Sequence, residues 1–196
     1  MIFHCSNTTN IYGFSFESPE GVFLDNYSVR GNTGIPLIAL SQSLLKNTDN
    51  VMSYNLIILQ YGLNIAEPET KDLSFYIQAM IPAINNLREC FPNADILLMS
   101  VSDKCYKRGG NYITEPSIQA IIAAQEIISK ETGCAFWNLF QNMGGTNSMS
   151  VWVKNNLANK DFTHFNFEGA EIVGTYLYNQ LMYSYVNFLK SEDKVE

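Results

Sequence analysis

Tyr54-Asn55-Leu56-Ile57-Ile58-Leu59-Gln60-Tyr61-Gly62-Leu63-Asn64 (residues 54–64) is a short apolar run closed by a polar turn. A strand with one wet face alternates apolar and polar residues, whereas a continuous run of this length reads as a strand buried on both faces. Two further runs, Asp95–Val101 and Cys134–Leu139, have the same character. Between them the apolar residues recur every three or four positions. Leu73, Tyr76, Ile77, Met80, Ile81, Ile84 and Leu87 predict an amphipathic helix from Lys71 to Cys90, with a kink at Pro82. Ile118, Ile121, Ile122 and Ile128 predict another, closed by Gly133 as its C-cap. Buried strands alternating with helices of this length make an α/β fold whose parallel sheet is covered on both faces.

Working outward, a helix is expected from near Pro36 to about Leu45, a short one over Asn147–Leu157, and a long one over Glu168–Leu189. Residues 102–114, which include Gly109-Gly110, read as a loop. Residues 11–29 hold two alternating runs split by Ser18-Pro19-Glu20-Gly21, the pattern of two strands and a turn.

The composition narrows the function. The 196 residues are 46% hydrophobic and 13% aromatic, enough for a packed core and too apolar for a disordered chain. A net charge of −7 offers nothing to neutralise phosphates, so no nucleic acid or anionic membrane surface is expected as a partner. No stretch of eighteen apolar residues is present, so no membrane span is expected, and Met1–Ser6 lacks the features of a signal peptide. Four scattered cysteines without a C-x-x-C pair, and two histidines, argue against a zinc site, and no cofactor is expected.

Sites in parallel sheets form past the carboxyl ends of the strands. Three polar clusters fall at such places. Arg30-Gly31-Asn32-Thr33-Gly34 is either a plain turn or a turn that brings backbone N–H groups to a ligand. Tyr61-Gly62-Leu63-Asn64 places an amide that either closes an Asx turn or donates to a developing negative charge. Asp161-Phe162-Thr163-His164 places a carboxylate three residues before an imidazole. It is either a helix-start hydrogen bond or a pair in which Asp161 holds Nδ1–H and leaves Nε2 as a base. Tyr61, Trp137 and Trp152 read either as core or as the wall of a sugar site.

The order of these clusters, Gly31, then Gly62-Leu63-Asn64, then Asp161-Phe162-Thr163-His164, resembles the SGNH (GDSL-like) hydrolases. Gly21-Val22-Phe23-Leu24-Asp25, Gly133-Cys134-Ala135-Phe136-Trp137 and Met143-Gly144-Gly145 extend the resemblance to a subgroup of bacterial carbohydrate or peptidoglycan O-acetylesterases, over roughly residues 11–190. The resemblance implies a flavodoxin-like three-layer α/β/α sandwich and ester hydrolysis by a serine nucleophile. It implies His164 as general base, Asp161 as its orienting carboxylate, and Gly31 and Asn64 in the oxyanion hole. The substrate so implied is a small-molecule or carbohydrate ester, met outside the cytoplasm.

One departure stands out. The family's Gly-Asp-Ser block is absent from these residues. Two readings follow. In the first, the nucleophile lies upstream of Met1, residues 1–20 are the tail of an upstream β-rich segment, 21–190 are the hydrolase-like domain and 191–196 a tail. In the second, Ser6 in Phe3-His4-Cys5-Ser6 is the nucleophile. Either way the sheet is expected to lack its first, central strand, unless Met1–Ser6 or another chain fills the slot. A catalytically inactive carbohydrate-binding or scaffold remnant of the same fold is the alternative function.

Overall fold

The computed structural model describes residues 8, 14, 16–18, 20–67 and 72–192. Ser6 and the rest of Met1–Ser6 lie outside the described residues. The chain divides into two units, 1–30 and 31–196. In the first unit the described residues form no β-ladder. The strand expected over residues 21–29 is therefore absent. Alternation creates a strand only when one set of side chains is buried, and here Val22 is 98% and Leu24 87% exposed. Most of the other run, residues 11–17, lies outside the described residues.

The second unit carries the fold. Its elements are α1 (Gln42–Met52), β1 (Leu56–Gln60), α2 (Ser74–Cys90), β2 (Asp95–Met99), β3 (Cys105–Arg108), β4 (Asn111–Thr114), α3 (Ser117–Thr132), β5 (Ala135–Trp137), α4 (Leu139–Asn142), α5 (Ser148–Lys154) and α6 (Phe167–Glu192). Strands β1, β2 and β5 pair in that order, all parallel, with Leu59 opposite Leu98 and Met99 opposite Trp137. Ile57, Leu59, Ile96 and Leu98 face α2 and α3, where they pack with Tyr76, Met80, Ile84, Ile118, Ile121 and Ile128. Leu97, Met99 and Trp137 face the other way, onto Leu139 and onto Val173 and Leu177 of α6. This is the expected α/β/α layering.

The local differences have physical causes. The helix expected from Pro36 to Leu45 is two pieces. Pro36 opens a 3-10 turn over Ile35–Ala39, Leu40 is extended, and Ser41 caps a separate α1 by accepting the Leu44 N–H at 3.2 Å. Helix α2 starts at Ser74 rather than Lys71 and runs through Pro82 as one element. The expected loop 102–114 contains an antiparallel hairpin, β3–β4. Its turn is Gly109-Gly110, both at positive φ (57° and 86°), as a two-residue hairpin loop demands.

The expectation of strands buried on both faces holds for β2 and fails for β1. Leu56 and Ile58 point to the α6 side and are 40% and 37% exposed. Among the described residues β1 is paired along one edge only. Helix α6 repeats the theme, for it has no buried residue from Tyr178 to Ser191 despite its aromatic and aliphatic content. Within the described residues of 31–192 the edge of β1 away from β2 is therefore unpaired.

Truncation should reveal this asymmetry. Leu98→Ala, at a fully buried site of the central strand, is expected to cost about 3–4 kcal/mol. Ile58→Ala, at a position that is 37% exposed, should cost no more than about 1 kcal/mol. Urea denaturation of the two variants checks the contrast.

Candidate active site

The site begins where β1 and β2 part. Their ladder ends at Gln60 opposite Met99. One step further the carbonyl of Tyr61 and the N–H of Val101 need partners, and the side chain of Gln125 on α3 supplies both. Its Nε2 donates to the Tyr61 carbonyl at 2.9 Å, and its Oε1 accepts from the Val101 N–H at 3.0 Å. The strands can therefore separate without leaving buried backbone groups unpaired.

Gly62 fits this plug. It sits at φ 105°, and a Cβ there would lie 3.1 Å from Val101 Cγ1 and 3.2 Å from both Gln125 Nε2 and Ile121 Cγ2. Only glycine combines that backbone conformation with that close approach. The chain then turns through the 3-10 segment Leu63–Ile65, which carries Asn64 to the surface. Asn64 Nδ2 donates to the Asn32 carbonyl at 2.9 Å. Asn32 Oδ1 in turn accepts from the Gly34 N–H at 2.8 Å, an Asx turn. Gly34, at φ 91°, lies against Tyr61, where a Cβ would come within 2.8 Å of the Tyr61 side chain. The two glycine blocks, thirty residues apart in the chain, are thereby joined. One Asn64 amide proton is used in the join, and the amide carries a second.

The Asp161–His164 turn is held by its own base. Ala158 and Phe165 form an antiparallel bridge, Asn159 N–H donates to the His164 carbonyl at 2.8 Å, and Phe162 N–H donates to the Asn159 carbonyl at 3.0 Å. Asn166 Oδ1 accepts from the Gly169 N–H at 2.9 Å at the start of α6. Gly169 has to be glycine, because a Cβ would run into the Leu157 carbonyl. Within the turn Asp161 Oδ1 accepts the N–H groups of Thr163 (2.9 Å) and His164 (3.0 Å), and Asp161 Oδ2 lies 2.8 Å from His164 Nδ1. Partial burial raises the pKa of Asp161, but the hydrogen bonds from the His164 ring and the His164 and Thr163 backbones outweigh it. The net result is an acid held below its ordinary value. An ionised carboxylate only accepts, so His164 Nδ1 carries a proton, and in the neutral ring Nε2 then presents the lone pair. The two side chains are 69% (His164) and 48% (Asp161) exposed.

Phe162 makes the turn unusual. It adopts φ 57°, the left-handed region, which costs a bulky residue about 1–2 kcal/mol. Its carbonyl accepts the Cys105 N–H at 2.9 Å, and its ring stacks on Tyr112 of β4 with centroids 3.5 Å apart and planes 6° from parallel.

The three clusters meet in one cavity of about 450 Å³, whose wall includes Asn32, Tyr61, Asn64, Lys104, Thr163 and His164. Lys104 Nζ donates to the Ala66 carbonyl at 2.8 Å on one side of it. Asn32, rather than its neighbour Gly31, lines the wall. Trp137 and Trp152 are buried core residues, whereas Tyr61 does face the cavity. Ser102 also lines it, but among the described residues no serine hydroxyl hydrogen-bonds His164. Nor does any group of three or more His, Cys, Asp or Glu among the described residues gather to hold a metal.

Several site residues escape the sequence reading. Gln125 leaves a trace, as a polar residue at the helical spacing of the buried stripe Ile118, Ile121, Ile122 and Ile128. Lys104 and Tyr112 leave none until the hairpin is recognised.

No family model matches this sequence, and no curated protein matches it. Its structure is similar to that of a peptidoglycan O-acetylesterase, with a TM-score of 0.65 and 24% sequence identity over 72% of this chain. The match spans 39% of that protein. The likeness establishes a shared fold.

Two measurements probe the site's construction. Gln125→Leu keeps the volume but strands the Tyr61 carbonyl and the Val101 N–H, and is expected to cost about 2–5 kcal/mol in urea unfolding. Asp161 has a folded-state pKa below its ordinary value of 3.8. Its ionised form therefore stabilises the fold fully above that value, and the contribution is lost as pH falls through the lower folded value. The Tm difference between the wild type and Asp161→Asn should hold above pH 4 and close on further acidification.

Proposed function

We propose that this chain supplies the base and oxyanion side of a serine-type ester hydrolase acting on O-acetylated carbohydrate. The observation that carries the reading is the single cavity that joins the Asn64 amide to a His164 imidazole oriented by Asp161. That is an acyl-transfer constellation with the nucleophile yet to be added. A serine hydroxyl attacks the ester carbonyl while His164 Nε2 takes its proton. Asp161 keeps the tautomer and stabilises the imidazolium. The tetrahedral oxyanion is received by the second N–H of Asn64 and the serine's own N–H; Gly31, the third donor implied by the resemblance, does not line this cavity. His164 then returns the proton to the leaving alcohol, and water repeats the sequence on the acyl-enzyme.

The uncovered edge of β1 supports a nucleophile carried on a strand that pairs there. Such a strand, parallel to β1, would bring its carboxyl end to the end of the sheet where β1 gives way to Gly62 and Asn64. On this reading the serine lies upstream of Met1, with Ser6 as the other candidate. The similarity to a peptidoglycan O-acetylesterase supports an acetylated glycan as substrate; a place outside the cytoplasm is proposed on the motif resemblance alone. The second reading, a carbohydrate-binding or scaffold remnant, is favoured by one observation: no serine among the described residues reaches His164.

Hydrolysis of p-nitrophenyl acetate, by this chain and by a form extended upstream, separates the two readings. Asn64→Ala should lower kcat about a hundred- to a thousand-fold. His164→Ala should abolish the triad's contribution, on the order of a thousand-fold or more. Activity that survives His164→Ala sinks the assignment. Loss of activity in Ser6→Ala would place the nucleophile there rather than upstream.

A further inference from the structure

We propose that Tyr112 is a positioning residue for the Asp161–His164 pair, acting through its stack on Phe162. The catalytic meaning rests on the ester-hydrolase reading, while the positioning rests on geometry alone. Both members of the pair are largely exposed, so core packing does not aim the imidazole. The turn aims it, and the turn depends on Phe162 staying in the left-handed region. If Phe162 relaxed to negative φ, the chain after it would swing. Asp161 Oδ1 would lose the N–H groups of Thr163 and His164, and Oδ2 would lose Nδ1.

Phe162 packs against the small cluster of Cys105, Met143, Met149, Trp152 and Ala158, and the β3–β4 hairpin adds two directional contacts to it. They are the Cys105 N–H on its carbonyl and the Tyr112 ring on its face. The hairpin itself is anchored on α5 and the residue before it. Ser150 Oγ donates to the Tyr112 carbonyl at 3.1 Å, Asn147 Oδ1 accepts the Thr114 N–H at 2.9 Å, and the Asn147 N–H donates to Thr114 Oγ1 at 2.6 Å. Tyr112 thus offers a flat ring on a fixed support, and that ring meets the strained residue between acid and base. It does not line the cavity. Its effect passes entirely through Phe162.

The test is the tautomer of His164, read from its ring 15N shifts in the full chain. His4 is the other histidine and is distinguished by a His4→Gln background. The wild type and Tyr112→Phe should show the proton on Nδ1. Tyr112→Ala should show a mixture with Nε2–H, and so should Asp161→Asn. Should Tyr112→Ala not fold, Phe162→Leu, which keeps the bulk and loses the flat stack, should show the same mixture. In an active form Tyr112→Ala should lower kcat about ten- to a hundred-fold with KM unchanged, and Tyr112→Phe should restore it. An unchanged tautomer in Tyr112→Ala, or one equally disturbed in Tyr112→Phe, overturns the proposal. A tautomer that responds as expected, together with no esterase activity in a form extended upstream, leaves the positioning intact and counts against the ester-hydrolase reading.

Discussion

The amide of Gln125 is the interaction on which the rest of this structure turns. A parallel sheet can offer a ligand site only if its strands separate at their carboxyl ends, and separation strands backbone polar groups in the driest part of the fold. One buried side chain on α3 meets both obligations, taking the Val101 N–H and giving to the Tyr61 carbonyl. Everything downstream is geometry built on that wedge. Gly62 lies against it because no side chain fits there, the 3-10 turn follows from the positive φ of Gly62, and Asn64 is carried to the cavity by the turn.

The base side of the cavity is built on a different logic. Asp161 and His164 sit on an exposed turn, held by short-range hydrogen bonds, a strained aromatic residue and a hairpin that presses on it. Hydrogen bonding to the carboxylate prevails over its partial burial and keeps it ionised, which leaves the imidazole proton on Nδ1. The amide side is thus rigid because it is buried, and the base side because it is cross-braced. The two meet across a polar cavity with Lys104 on its wall.

The uncovered side of the sheet connects the fold to the chemistry. Leu56 and Ile58 belong to a run that reads as fully buried, and α6 carries an apolar surface that meets little. Leu56 and Ile58 stand on one face of β1, whose edge away from β2 is unpaired among the described residues. A strand there would bring its carboxyl end to the Asn64 and His164 side of the cavity. The place where packing is incomplete is the place where the proposed chemistry lacks its nucleophile.

Local chemistry was legible from the amino acids alone. The three parallel strands, the helices between them, the Gly133 cap and the Asp161–His164 pairing all depend on residues within a few positions of one another. Periodicity and turn chemistry report such features directly. The order of the clusters, read through the family resemblance, grouped Gly31, Asn64 and His164; in the fold Asn64 and His164 line one cavity and Gly31 does not. Only the tertiary structure decided the rest. That β1 has a bare face, that residues 21–29 form no ladder, and that Gln125 and Tyr112 matter all depend on what lies opposite, and a linear pattern of apolar and polar residues carries no record of its partner. Alternation states which side chains seek burial. Whether a surface is there to bury them is a property of the folded chain.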